Sequence, residues 1–116
     1  MIDSACMILK KGDTILVIHR RLYENDEVLF FIGKVDDYEV GIVKTTGHTF
    51  RWNQNEGLMI QMDRDRTKII SLSSGNLLVH QLPDTTEFEQ LNFKNIEGHL
   101  TLTDDNHFEL SLAAHL

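Results

Sequence analysis

Phe31-Ile32-Gly33-Lys34-Val35-Asp36-Asp37-Tyr38-Glu39 decides how this chain is read. Apolar residues alternate on either side of a glycine, and a strand interrupted by glycine is how a short sheet bends sharply enough to close on itself. A second such segment follows downstream, Ile69-Ile70-Ser71-Leu72-Ser73-Ser74-Gly75-Asn76-Leu77-Leu78-Val79. Gly33 and Gly75 are therefore expected at strand bends, and the expected fold class is all-β.

Strand signals surround these segments. Residues 4–10 read as a strand ending at the turn Lys11-Gly12-Asp13. Residues 14–21 are apolar on both alternating faces as far as His19, the pattern of a strand buried on two sides. Tyr23-Glu24-Asn25-Asp26-Glu27 reads as a loop, and residues 28–35 as the next strand. Asp36-Asp37 reads as a turn into a strand over 38–46, with Gly41 a further bend. A shorter strand, 48–52, leads to the clear turn Asn53-Gln54-Asn55-Glu56-Gly57. Residues 58–62 alternate, Asp63-Arg64-Asp65-Arg66 is a charged loop, and 68–72 with 76–82 form the arms of the Gly75 segment. Pro83, the only proline, closes this body because it cannot donate to a ladder.

The remainder differs in character. Asp84-Thr85-Thr86-Glu87 offers a helix N-cap, and Phe88, Leu91 and Phe93 have helical spacing, which predicts a helix of two turns within 84–94. Residues 99–103 and 107–112, joined by Asp104-Asp105-Asn106, predict a β-hairpin. The expected organisation is a barrel over 1–83 and a helix-hairpin appendage over 84–116 packed on it, together one domain. At 116 residues the chain suits one core rather than two.

The two glycine segments resemble the signature segments of the Sm-like family. Phe31, Gly33, Val35, Tyr38 and Glu39 match the spacing of the first, and Leu72, Gly75, Asn76, Leu77 and Val79 that of the second. Residues 14–18 stand in the place of the first barrel strand, so the resemblance covers about 12–83. It implies a small, strongly bent Sm-like or SH3-like barrel that assembles into rings by pairing edge strands. Two positions depart from the family. Val43 stands where the family holds a polar residue against a base, and Ser74 where it holds a cation. Recognition of uridine-rich RNA through that pocket is therefore not expected, since single-strand binding needs stacking and a positive groove together.

Charge points the same way. The net charge is −7, and residues 84–116 carry seven acids against the single lysine Lys94. Polyphosphates are held chiefly by Lys and Arg, so a nucleic-acid partner is disfavoured. Cys6 is the only cysteine, which excludes an intrachain disulfide and a cysteine-based metal site. No apolar run approaches the ~20 residues that span a bilayer, and the N-terminus lacks the pattern of a signal peptide. No membrane association and a cytoplasmic location are expected.

Catalytic and metal signatures are sparse. None of His19, His48, His80, His99, His107 and His115 pairs as His-x-His or at i, i+4. Asp36, Asp37 and Glu39 read as a solvated turn, and Ser71-Leu72-Ser73-Ser74-Gly75 lacks the strand-to-helix setting of a nucleophile elbow. No metal, no cofactor and no catalytic residue are expected. Cation and aromatic interleave at Arg51-Trp52, with His48 and Phe50 beside them, and more weakly at Arg20-Arg21 near Tyr23. Arg20, Arg21, Arg51 and Trp52 are the candidate partner-binding residues. The expected function is a non-catalytic binding or assembly module that forms homo-oligomers. Two alternatives stay open: a nucleic-acid-binding module using those four residues, and a ligand-binding or enzymatic domain with a pocket between barrel and tail.

Overall fold

The structure is a computed structural model, and it describes residues 9–19, 28–53, 55–62, 65–73, 77–106 and 108–112. It is mostly β, with two antiparallel sheets, and the chain divides into two compact units, Met1–Leu82 and Pro83–Leu116.

The first unit holds β1 (Thr14–His19), β2 (Leu29–Glu39), β3 (Ile42–Asn53), β4 (Leu58–Gln61), β5 (Arg66–Ser71) and β6 (Leu77–Gln81). The sheet order is β4-β3-β2-β1-β6, with β5 also on β3. β4 and β5 lie on successive parts of the same edge. Gln61 faces Phe50, Met62 N–H donates to the Thr49 carbonyl, and Arg66 faces Gly47. Their registers against β3 differ by two residues.

Two strand boundaries differ from the sequence expectation. Asp36-Asp37 is not a turn; β2 runs through it with a register shift between Val35 and Asp37, and the Asp36 carboxylate accepts from the Thr46 hydroxyl. A β-bulge absorbs the extra residue, which leaves the ladder intact on either side. The reversal falls at Val40-Gly41, where Gly41 takes φ +78°. Gly47 does not end a strand, since β3 is continuous through it. Gly33 likewise lies inside an unbroken β2, facing Gly47, and Gly75 lies outside the described residues. The Asn53–Gly57 turn forms as read: the Asn53 side-chain oxygen accepts from the N–H groups of Asn55 and Glu56, and Gly57 N–H donates to the Asn53 carbonyl.

Glycine is needed at the Gly33–Gly47 rung for a steric reason. A Cβ on Gly47 would sit 1.9 Å from the Ile32 carbonyl oxygen and 2.5 Å from Gly33 Cα, and one on Gly33 would sit 2.7 Å from the Thr46 carbonyl oxygen. The two backbones approach too closely for any side chain.

One core cluster joins Leu9, Ile15, Val17, Phe31, Val35, Val43 and Ile70, with Tyr38, Leu72, Leu77 and Val79 packed against it. The opposite face of β1 and β2 is buried too, at Leu16, Ile18, Phe30 and Ile32. β1 is thus the two-sided strand its sequence predicts. Asp13 closes the turn before it: its carboxylate accepts from the Lys10 backbone N–H, the Lys10 ammonium and the Gln81 amide.

The second unit is a three-stranded sheet of β7 (Asn92–Ile96), β8 (His99–Thr103) and β9 (Glu109–Ser111). The predicted two-turn helix is replaced by a single 3-10 turn, Phe88–Gln90, followed directly by β7. Phe93 pairs with Leu102, and Glu97 and Gly98 both take positive φ in a two-residue hairpin turn. The ladder to β8 outweighs local helical spacing. The hairpin of β8 and β9 forms as predicted. Asp104 organises its loop: it is buried, and its carboxylate accepts backbone N–H bonds from Glu87, Asn106 and Phe108.

Candidate functional site

The candidate surface begins with β3. Along it, residues 45, 47, 49 and 51 share the core-facing side with Leu29, Phe31, Gly33 and Val35 of β2, which they face across the ladder. His48, Phe50 and Trp52 occupy the other side. Arg51 and Trp52, adjacent in sequence, therefore point to opposite faces, and the interleaved cation-aromatic surface divides into two. Arg20 and Arg21 lie outside the described residues.

The aromatic half is held in place. The His48 imidazole lies 2.9 Å from an Asp65 carboxylate oxygen and 3.1 Å from the Gln61 amide, and its ring meets Phe50 edge-on at 6.4 Å. Phe50 faces Phe30 across the ladder, and Trp52, partly buried, faces Met59 on β4. Phe50 and Trp52 thus extend the apolar face of β2.

The cationic half lies on the core side. The Lys68 ammonium donates to the Thr49 hydroxyl at 3.0 Å and sits 4.8 Å from the centre of the Phe31 ring. His19 ends β1 on this same side, facing Leu29 and Leu77. Its pKa is lowered, first by burial and then by the positive charge of Lys68.

A third feature is an edge. Among the described residues, β5 pairs only with β3, and β6 only with β1. Ile69 on β5 is 74% exposed, Ile42 on β3 47%, and Val40 in the turn between β2 and β3 84%. Ile42 faces Ser71 and Ile69 faces Lys44 across the ladder, so Ile42 and Ile69 are diagonal neighbours on the face of the sheet opposite Val43 and Ile70.

In the second unit a depression of about 380 Å³ is lined by Thr103, Asp105, Asn106, Phe108 and Glu109. Its carboxylate Asp105 is already engaged by the Lys94 ammonium and the Asn92 amide, which hold its pKa below the ordinary value. Among the described residues no group of three or more His, Cys, Asp or Glu side chains is placed to hold a metal ion. No described helix is long and apolar enough to cross a membrane. No family model, curated protein or solved structure matches the chain.

The exposed apolar patch was missed in the sequence. Its signal was available in Val40 and Ile42 flanking Gly41, but only the turn position of Gly41 reveals that they project from a tip.

Proposed function

We propose that this chain is a non-catalytic assembly module whose first unit curls into a small Sm-like barrel and whose copies join edge to edge. Several features support the barrel. The order β5-β3-β2-β1-β6 brings the last strand back beside the first, the side-chain-free rung at Gly33 and Gly47 permits a sharp corner, and the bulge at Asp36 adds twist. The apolar and aromatic residues shared with the family signatures, Phe31, Val35, Tyr38, Leu72, Leu77 and Val79, pack in one cluster.

The observation that carries the assembly reading is that β5, among the described residues, is paired on one side only, with Ile69 exposed on it and Ile42 exposed diagonally beside it on the same face. Unpaired strand edges with apolar side chains associate unless they are covered. β6 of a second copy, paired only with β1 among the described residues, offers the complementary edge. Joining two different edges is a head-to-tail contact, which gives a ring when its rotation closes. Val43, where the family carries a polar residue, is fully buried in the core, which favours a function other than base recognition at that position.

Light scattering on the purified full chain tests this reading. The expected mass is a multiple of 13.4 kDa, and Ile69→Glu together with Ile42→Glu lowers it to one chain without changing the far-ultraviolet circular dichroism. A wild-type chain that stays at the monomer mass at every soluble concentration overturns it.

A further inference from the structure

We propose that Met62 is a sulfoxidation site: a hydroperoxide delivers one oxygen to its thioether, and the product turns the β4 end of the first sheet from apolar to polar without unfolding it. The assignment does not depend on how copies of the chain assemble.

The argument starts from strand parity. Leu58, Met59 and Ile60 belong to β4, and Met62 follows directly after its last residue, Gln61. The Met62 N–H donates to the Thr49 carbonyl, which continues the pairing with β3 by one residue. Successive residues of a strand point to opposite faces, so Leu58, Ile60 and Met62 share one side and Met59 takes the other. Two methionines of one short segment thereby receive different surroundings. Met59 faces Trp52 across the ladder and is partly buried. Met62 is 52% exposed.

Met62 is also part of a larger apolar strip. Leu58 on the same side is 49% exposed, and Ile60 lies between them, partly buried. The strip sits at the end of the sheet order, where β4 pairs only with β3 among the described residues. Leucine and isoleucine offer contact alone. The thioether offers an adaptable apolar contact that is also open to oxidation.

In the reaction a sulfur lone pair attacks the terminal oxygen of the hydroperoxide. The S–O bond forms as the O–O bond breaks, and the departing oxygen takes the hydroxyl proton and leaves as an alcohol, or as water from hydrogen peroxide. Sulfur loses two electrons and the peroxide gains them. The product is a polar sulfoxide with a strong acceptor oxygen. In a packed interior that oxygen would be an unpaired buried acceptor. At an exposed position outside the core cluster it is hydrated in place. Two thiols reverse the step through a methionine sulfoxide reductase: the oxygen leaves as water and the thiols leave as a disulfide.

The test treats the full chain with dilute hydrogen peroxide and follows each methionine by digestion and mass spectrometry. Met62 is expected to gain one oxygen several-fold faster than Met59. Over the same interval the protein elutes earlier from a hydrophobic-interaction column, while its far-ultraviolet circular dichroism and urea midpoint stay unchanged. Reductase with dithiothreitol restores the original retention. Met62→Gln, polar from the outset, elutes early without peroxide, and Met62→Leu keeps the late retention through the interval in which the wild-type chain shifts. Oxidation of Met59 as fast as Met62 overturns the proposal. So does oxidation at Met62 that leaves the retention unchanged, or that lowers the urea midpoint and thus places the thioether in packed interior.

Discussion

Replacing Gly47 with alanine tests the close backbone approach at the Gly33–Gly47 rung. The new Cβ would lie 1.9 Å from the Ile32 carbonyl oxygen, against an ordinary contact of 3.4 Å or more, so the facing strand must retreat by about 1.5 Å. Forcing an extra carbon into a packed interior costs roughly 1–3 kcal/mol. Here the obstacle is backbone, so the ladder hydrogen bonds around Ile32 stretch as well, at about 1 kcal/mol each. Against this, alanine lowers the entropy of the unfolded chain, worth about 0.4–1 kcal/mol to the folded state. The net expectation is a loss of about 3 kcal/mol, a large share of the roughly 5–15 kcal/mol that holds a domain together. Trp52, the only tryptophan, lies on the same strand and reports this unit alone in a urea titration followed by fluorescence. With a slope of about 1–3 kcal/mol per molar, the midpoint falls by about 1–3 M. Gly57→Ala is the control, because its Cβ would meet nothing within 4 Å and it faces only the strain of φ +66°, about 1–2 kcal/mol. If Gly47→Ala loses no more than Gly57→Ala, the close approach of the two backbones is not what makes glycine necessary.

Further outcomes follow from individual side chains. Asp104→Ala removes the acceptor of three backbone N–H groups; it should destabilise the second unit by roughly 3 kcal/mol and speed amide exchange at Glu87, Asn106 and Phe108, with Asp104→Asn milder. His19 has its folded pKa below its unfolded value, so the unfolded chain binds the proton more readily. Stability is therefore full above the unfolded value near 6.5 and declines as pH falls from there towards the lowered folded value; His19→Gln should flatten that part of a stability–pH curve. Val43→Asn places an amide at a fully buried core position, with an expected loss of about 2–4 kcal/mol and no gain in affinity for oligo-uridine measured by fluorescence anisotropy.

Much of the strand content was legible because it rests on local chemistry. The two-sided apolar run at 14–19, the Asn53–Gly57 turn and the hairpin around Asp104 each carry their own signal. What failed depended on partners distant in sequence. Asp36-Asp37 has turn composition, yet strand β3 opposite it can absorb one bulged residue and keep pairing. Residues 84–94 contain a plausible helix start, but Asp104 takes the Glu87 N–H and β8 offers Asn92–Ile96 a ladder. The candidate site divided for a simpler reason. Arg51 and Trp52 are neighbours in sequence, and a strand sends neighbours to opposite sides. Lys68 escaped notice because its partners, Thr49 and Phe31, meet it only across the sheet.

The facing glycines also act as a lock on alignment. Sliding β3 along β2 by two residues would keep every side chain on its proper face, so hydrophobic pattern alone does not forbid it. Such a slide would bring Thr45 or Thr49 opposite Gly33, and Phe31 or Val35 opposite Gly47. A side chain would then enter a gap that excludes even a methyl group. The two longest described strands are thus held in a single pairing by the one rung at which neither carries a side chain.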